Sequence, residues 1–187
     1  MNLLAPYRDA QKVQSLAAEL ARISKKPAAI MEICGGQTHA ILKYGLEQLL
    51  PKHIELLHGP GCPVCVTPAS ILDHAIWLCL RHNITLCSFG DMLRVPGQLG
   101  SLAWAKSQGG DVRIVYSPLD AVEFARQNPE KKVVFLAIGF ETTAPANALA
   151  ARRAKELQLQ NFWLLVSHVL VPPAICALLE SPECRIQ

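Results

Sequence analysis

Charged residues are scarce in this chain, and they form no long run of one sign. Asp, Glu, Lys and Arg make up 18% of the 187 residues, whereas 51% are hydrophobic, so the chain is not disordered and can bury a substantial core. The net charge is +3, but the basic pairs at residues 25–26 and 152–153 are too short to form a nucleic-acid-binding stripe. We therefore expect a globular protein without a nucleic-acid partner.

The first residues also lack a secretory signal. Residues 1–8 contain no basic start, apolar middle or small-residue cleavage site, so we expect a cytoplasmic protein. The seven cysteines are an odd number in a chain of this length, and cytoplasmic thiols are usually reduced. The cysteine count therefore favours metal or redox chemistry over a disulfide scaffold.

One apolar run resembles a membrane span. Residues 162–179 approach the roughly 20 residues that cross a bilayer, but Ser167, His168, Pro172 and Pro173 interrupt them. Proline is well tolerated in the first turn of a helix. We therefore predict a buried strand followed by a proline-started helix, and no membrane partner.

Short apolar segments rich in β-branched residues alternate with helical patterns along the chain. The predicted strands are residues 28–33, 54–57, 84–89, 112–116, 132–138 and 162–166. The predicted helices are residues 9–23, 38–49, 69–81, 101–108, 119–127, 144–157 and 173–180. Such alternation predicts an α/β fold in which strand-helix units form parallel sheets flanked by helices.

A weak internal repeat suggests two related α/β domains. Residues 36–40 and 140–144 both follow an apolar strand and open a helix with hydroxyl and acidic or amide groups. We predict an N-terminal helix in residues 1–27, a first α/β domain with the cysteine motifs in 28–117, and an incomplete second α/β domain in 118–187.

A pair of cysteines lies in the loop at residues 57–65. Cys62 and Cys65 are separated by two residues, in a segment that also contains prolines and the glycines Gly59 and Gly61. Proline fixes the backbone φ angle and glycine permits turns that a side chain would block, so the loop can present both sulfurs in one geometry. Two thiols so placed can share a disulfide or a metal ion.

Polar and thiol-bearing loops follow four of the predicted strands. Residues 34–39 follow the first strand, Cys62 and Cys65 the second, residues 90–91 the third, and residues 139–143 the fifth. In a parallel sheet the loops after the strands crowd along one edge, where ligands bind. The sequence therefore predicts that these loops converge on one cleft.

Within these loops, Cys34 stands where a strand gives way to a helix. If Gly35 and Gly36 bring backbone amides near its sulfur, the helix amino terminus would favour the thiolate. His39 and His58 are candidates for hydrogen bonding to such a thiolate, or alternatively packing residues.

Two acidic residues and two threonines are further candidates for the site, and each has an alternative structural role. Asp91 and Glu141 are candidates for shaping the cleft or docking partners, or else they cap helices. Thr38 and Thr142 have the same two interpretations. The remaining thiols Cys79, Cys87 and Cys176 are flanked by apolar residues and are expected to be buried small hydrophobes.

Three motifs, in this order, resemble the signature motifs of the HypD family of [NiFe]-hydrogenase maturation factors. They are MEICGGQTH at residues 31–39, HGPGCPVC at residues 58–65 and GFETT at residues 139–143. The resemblance runs essentially from end to end and includes residues 89–97 and 112–118. Members of that family continue past the position of Gln187 and add a cysteine-rich domain with a [4Fe-4S] cluster. The cysteines that would hold the cluster are absent from these residues, so we expect a fragment.

The resemblance implies a role in cofactor assembly. HypD-like proteins act with the partner HypC as a scaffold on which iron receives cyanide and carbonyl ligands before insertion into the hydrogenase large subunit. HypE, charged by HypF, supplies the cyanide. By resemblance, Cys34 would be an iron ligand, and Cys62 and Cys65 would be a redox pair. Beside these three cysteines, the candidate site residues from the sequence pattern are Gly35, Gly36, Thr38, His39, His58, Asp91, Glu141 and Thr142.

Two other functions remain open. The first is a thiol oxidoreductase of thioredoxin type, although its cysteine pair would normally open a helix directly, whereas residues 66–68 intervene here. The second is a structural zinc module that uses the cysteine pair and two of Cys34, His39 and His58.

Overall fold

The computed structural model describes residues 8–186 and has an α/β fold with parallel sheets flanked by helices, as the sequence predicts. Within these residues the strands are Ala28–Glu32 (β1), Ile54–His58 (β2), Ile84–Ser88 (β3), Val112–Ile114 (β4), Lys132–Gly139 (β5) and Phe162–His168 (β6). The helices are Ala10–Ile23 (α1), Gly35–Tyr44 (α2), Leu46–Leu49 (α3), Pro63–Val66 (α4), Ala69–Arg81 (α5), Leu102–Ser107 (α6), Pro118–Gln127 (α7), Ala144–Glu156 (α8) and Val171–Leu179 (α9). A 3₁₀ helix, Gly90–Arg94, follows β3.

Each predicted strand is present, but one predicted helix is divided. The helix predicted at 38–49 is two helices, because Gly45 between α2 and α3 has a left-handed φ of 61°. Glycine adopts this conformation readily and commonly ends helices. In addition, α2 begins at Gly35, whose low helix propensity conceals the helix start in the sequence.

The apolar run at residues 162–179 folds as β6 followed by α9, as predicted. The predicted burial of the strand is wrong, because β6 lies at the edge of its sheet and exposes Trp163 and Val166. Pro172 and Pro173 lie in the first turn of α9, where a missing backbone N–H leaves no intrahelical bond unmade. Among residues 8–186, no helix is long and apolar enough to cross a membrane.

The described residues form two compact units. The first unit extends to Cys62 and resumes at Cys176, and the second is residues 63–175. This division differs from the predicted boundary between residues 117 and 118. The reason is that β3 precedes that boundary and β5 follows it, yet the two strands pair in one sheet. Such pairing joins segments distant in sequence, so local pattern does not reveal it.

The first unit is built on a two-stranded parallel sheet. β1 pairs with β2 from Ala28 opposite Ile54 to Glu32 opposite His58. Among the described residues of this unit, Ala29 is the one buried hydrophobic residue. A two-stranded sheet with so small a core is marginally stable by itself.

The second unit contains a four-stranded parallel sheet in the order β4, β3, β5, β6. One face of the sheet packs Leu86 and Leu136 against Leu72 of α5, and the other packs Phe135 against Ala121 of α7. The chain moves outward from β3 to β4 and then returns to place β5 on the other side of β3. The carboxyl ends of strands at such a reversal form the usual ligand-binding edge of an α/β sheet. The larger sheet thus belongs to the second unit.

Candidate functional site

Cys34 lies at the amino end of α2, as its sequence context predicts. Its backbone is extended, and its carbonyl oxygen accepts hydrogen bonds from the N–H groups of Gln37 at 2.7 Å and Thr38 at 3.1 Å. The thiol is half-buried and does not cap the helix. Gly36 lies beside it, since a Cβ on Gly36 would be 3.6 Å from the Cys34 sulfur. The thiol therefore lies near the positive end of the helix dipole.

Glu32, at the end of β1, forms hydrogen bonds with Cys34 and with residues near it. Its carboxylate is only 11% exposed and accepts three hydrogen bonds. One comes from the Thr38 hydroxyl, one from His58 Nδ1 at 2.8 Å and one from the Cys34 backbone N–H at 2.7 Å. These bonds, that of Thr38 foremost, hold the pKa of Glu32 below its ordinary value.

Sequence reasoning missed Glu32. The only available signal is an acidic residue that closes an apolar strand directly before the loop containing Cys34. From sequence alone, such a residue would be interpreted as the solvent-exposed end of a strand. Only the pairing of β1 with β2 reveals its partner His58.

His58 joins this cluster from the end of β2. A carboxylate can only accept hydrogen bonds, so His58 Nδ1 carries a proton toward Glu32. The other ring nitrogen, Nε2, is 3.6 Å from Oε1 of Glu47. The backbone makes a second link, because the Gly59 N–H donates to the Glu32 carbonyl oxygen at 2.8 Å. The loops that follow β1 and β2 are therefore joined through Glu32.

The cysteine pair lies at the start of a short helix. Cys62 is half-buried, and Cys65 is an exposed residue of α4. The expectation that residues 66–68 separate the pair from a helix is wrong, because α4 begins at Pro63, directly after Cys62. Proline at a first helical position is favourable. One sequence argument against a thioredoxin-type pair is thereby removed.

In the second unit, the GFETT loop links β5 to α8. The Phe140 N–H donates to the hydroxyl oxygen of Thr143 at 3.0 Å, and a Cβ on Gly139 would collide with Thr143. Thr143, rather than the exposed Thr142, therefore shapes this loop. Glu141 is exposed, and its carboxylate accepts the Val171 N–H at 2.9 and 3.2 Å, which caps α9.

Asp91 makes only a local contact. It is exposed in the 3₁₀ helix, and its carboxylate accepts the N–H of Met92 at 2.9 Å. The capping alternative given by the sequence thus describes Glu141, whereas Asp91 lies within the first turn of its 3₁₀ helix, whose N-cap is Phe89. The first unit brings together Cys34, Thr38 and His58. His39 is exposed in α2, and its side chain makes no ion pair or hydrogen bond with another residue of 8–186.

A polar pair that sequence reasoning missed lies at the carboxyl ends of β5 and β6. His168 is opposite Gly139 in register, and its Nε2 is 2.7 Å from Nδ2 of Asn147 in α8. Asn147 is 3% exposed, and its Oδ1 has no hydrogen-bond partner among the described residues. Its position within a helical pattern conceals it in the sequence.

The three thiols that the sequence predicts to be buried differ in their exposure to solvent. Cys79 and Cys87 are buried as predicted, and burial raises the pKa of Cys79 to about 11 and that of Cys87 to about 12. Cys176 is exposed, so its predicted burial is wrong. The reason is that the apolar residues flanking Cys176 in α9 are themselves exposed or only half-buried.

Neither a zinc site nor a cluster site is assembled within residues 8–186. No group of three or more His, Cys, Asp or Glu side chains in this part of the chain is placed to hold a metal ion. A structural zinc module needs four such ligands, and a [4Fe-4S] cluster needs four cysteines. Residues 8–186 therefore fit neither a zinc ion nor a [4Fe-4S] cluster. A metal held by one thiol and by a partner protein would need no such set of ligands.

Comparison with known proteins places the chain in a family. The family model HypD, described as the hydrogenase formation hypA family, matches residues 11–187. The hydrogenase maturation factor HypD of Escherichia coli K12 is 45% identical over 190 residues, which cover 98% of this chain and 51% of that protein. HypD2 of Bradyrhizobium diazoefficiens is 50% identical over 186 residues, covering 96% of this chain and 49% of that protein.

The coverage is similar for a third relative. The hydrogenase maturation factor HypD of Rhodobacter capsulatus is 47% identical over 193 residues, covering 100% of this chain and 51% of that protein. This chain therefore spans about half the length of the curated relatives it matches. Because the family model matches nearly all of its residues, the chain belongs to the HypD family.

Proposed function

We propose that this chain acts in the maturation of [NiFe] hydrogenases, as part of a scaffold that holds iron while its cyanide and carbonyl ligands are assembled. The observation that carries the proposal is the placement of Cys34 at a helix amino terminus, in a loop that Glu32 ties to the His58 loop. Its relatives are named hydrogenase maturation factors. The scaffold is not a conventional enzyme, and its expected location is the cytoplasm.

In this proposal the iron is cargo, and Cys34 is its ligand from this chain. A thiolate suits a soft, low-spin iron bound to cyanide and carbon monoxide. A HypC-type partner supplies further ligands, a HypE-type protein donates the cyanide, and the product passes to the hydrogenase large subunit. Gly35 and Gly36 are exposed beside Cys34, which leaves room for a second protein to approach the sulfur.

Replacing Cys34 tests the iron ligand. The chain is purified anaerobically with a HypC-type partner, and its infrared spectrum is recorded. Cys34→Ala is expected to abolish the bands of iron-bound cyanide and carbonyl, because the thiolate that holds the iron is lost. Cys176→Ala removes an exposed thiol of α9 and should leave the bands unchanged. Bands that survive in Cys34→Ala would exclude Cys34 from the ligand set.

The cysteine pair has the role of a two-electron carrier in this proposal. When Cys62 and Cys65 form a disulfide, one S–S bond forms, and two electrons and two protons pass to an external disulfide, which is reduced to two thiols. A small external dithiol can restore both thiols by becoming a disulfide itself. We assign no step to an iron–sulfur cluster in these residues.

A thioredoxin-type oxidoreductase is the second candidate, and the start of α4 directly after Cys62 favours it. The two functions differ in substrate range. We expect the pair to titrate as one two-electron couple, yet the protein should reduce insulin at least about tenfold more slowly than a thioredoxin whose pair has the same potential. Cys62→Ser should abolish the couple, and Cys184→Ser should not. Insulin reduction at a rate typical of thioredoxin would favour the second candidate.

A further inference from the structure

We propose that Glu32 is a positioning residue that couples the Cys34 loop to the loop leading from His58 to Cys62. Both loops belong to the first unit. The proposal uses the roles assigned to the thiols under the proposed function, and it adds a physical connection between them.

The side chain of Glu32 connects three separate points of the first unit. Its Oε2 accepts the Cys34 N–H at 2.7 Å, and its Oε1 accepts both the Thr38 hydroxyl and His58 Nδ1, the latter at 2.8 Å. The first two donors belong to the loop and helix after β1, whereas His58 ends β2. A shift of either loop therefore strains hydrogen bonds made by the other.

The backbone of Glu32 makes the connection stiffer. The Gly59 N–H donates to the Glu32 carbonyl at 2.8 Å, and a Cβ on Gly59 would lie only 2.6 Å from that oxygen and 3.0 Å from Met31 side-chain atoms. The loop after β2 thus contacts Glu32 at two consecutive residues, His58 and Gly59. Cys62 follows three residues after Gly59, so the link ends close to the cysteine pair.

The geometry also determines which substitution is informative. Glutamine has nearly the size of glutamate, but one of its two terminal groups is an NH₂ donor. That donor cannot accept a hydrogen bond from the N–H of Cys34, nor from Nδ1–H of His58. Glu32→Gln therefore preserves the volume and breaks the connection on one side.

Coupling of this kind predicts a reciprocal effect. Conversion of the cysteine pair from dithiol to disulfide should change the reactivity of Cys34, and binding at Cys34 should change the redox potential of the pair. If Glu32 transmits the effect, the two sites become independent when it is replaced.

The test measures the alkylation rate of Cys34 by mass spectrometry, in protein equilibrated with reduced or oxidised dithiothreitol. We expect the two rates to differ about fivefold or more in the unsubstituted protein, the lower range of typical coupling, and to become equal within error in Glu32→Gln. The control Glu55→Gln removes a carboxylate of the same sheet that binds Arg185 instead, and it should retain the difference. Equal rates in the unsubstituted protein, or an unchanged difference in Glu32→Gln, would overturn the proposal.

A second measurement does not depend on the stability of the variant. Nitrogen NMR of the unsubstituted protein should show His58 with its proton on Nδ1, and an Nε2–H tautomer would contradict the contact with Glu32. If Glu32→Gln does not fold, His58→Phe removes the side-chain donor of the second loop, and a coupling unchanged in that variant would also refute the proposal. No readout involves iron, so absence of the infrared bands from the unsubstituted protein, with intact coupling, would refute the proposed function alone.

Discussion

Gly59 and Glu32 show how single residues hold the candidate site together. The Glu32 carboxylate joins three donors, and Gly59 leaves the space through which the two loops approach each other. Neither residue is chemically unusual by itself. Their importance arises because β1 and β2 end side by side, with Glu32 opposite His58.

At this scale, Gly59→Ala is expected to destabilise the first unit. The added Cβ would lie 2.6 Å from the Glu32 carbonyl oxygen, and relieving such a clash typically costs about 1–3 kcal/mol. Faster hydrogen exchange of the amides in β1 and β2 would report the loss. Gly90→Ala is the control, since its Cβ would meet its nearest neighbour, Ile114, at an ordinary 3.6 Å. Equal exchange in the two variants would contradict the expectation.

Helix and strand ends in this protein are set by short-range chemistry. The start of α7 is an example: Asp120 accepts the Ser117 N–H at 2.9 Å, and the Ser117 hydroxyl oxygen accepts the Leu119 N–H at 3.2 Å. Pro118 occupies the first helical position. This arrangement is a capping box, which sequence pattern can identify.

Ser117→Ala is therefore expected to lower the free energy of unfolding of the second unit by about 1 kcal/mol, the usual cost of a lost N-cap. Urea denaturation followed by circular dichroism measures it. Ser70→Ala, at an exposed serine in the first turn of α5, should change the stability little. A loss at Ser70 as large as that at Ser117 would argue against the capping interpretation.

The two units of the molecule differ in how much apolar surface they bury. The second unit packs both faces of a four-stranded sheet, whereas Ala29 is the one buried hydrophobic residue in the described part of the first unit. Local stability follows buried apolar contacts. The Cys34 loop thus belongs to the unit that buries less apolar surface, which we expect to be the less stable one.

At the scale of the whole molecule, the two units should differ in the hydrogen-exchange rates of their backbone amides. Amides of β1 and β2 are expected to exchange at least about tenfold faster than those of β3 and β5, because opening the first unit exposes less apolar surface. Mass spectrometry of peptic fragments measures both in one experiment. Uniform protection across β1 and β5 would show that the units unfold together.

Much of the fold could be predicted from local pattern. The strands were identifiable because each is a short apolar run bounded by polar or turn residues. The end of β6 and the start of α9 were identifiable because His168, Pro172 and Pro173 interrupt one such run. The split between α2 and α3 was not predicted, since it depends on the left-handed conformation of Gly45. The extent of the two units was not predicted either.

The sequence by itself determined the α/β class, the approximate strands and the motifs that assign the chain to its family, because these depend on the order of neighbouring residues. Only the tertiary structure decided that Glu32 connects Cys34, Thr38 and His58, and that Glu141 caps α9. The reason is physical: a hydrogen bond between residues 26 positions apart, such as that of His58 with Glu32, exists only after two strands have paired in register.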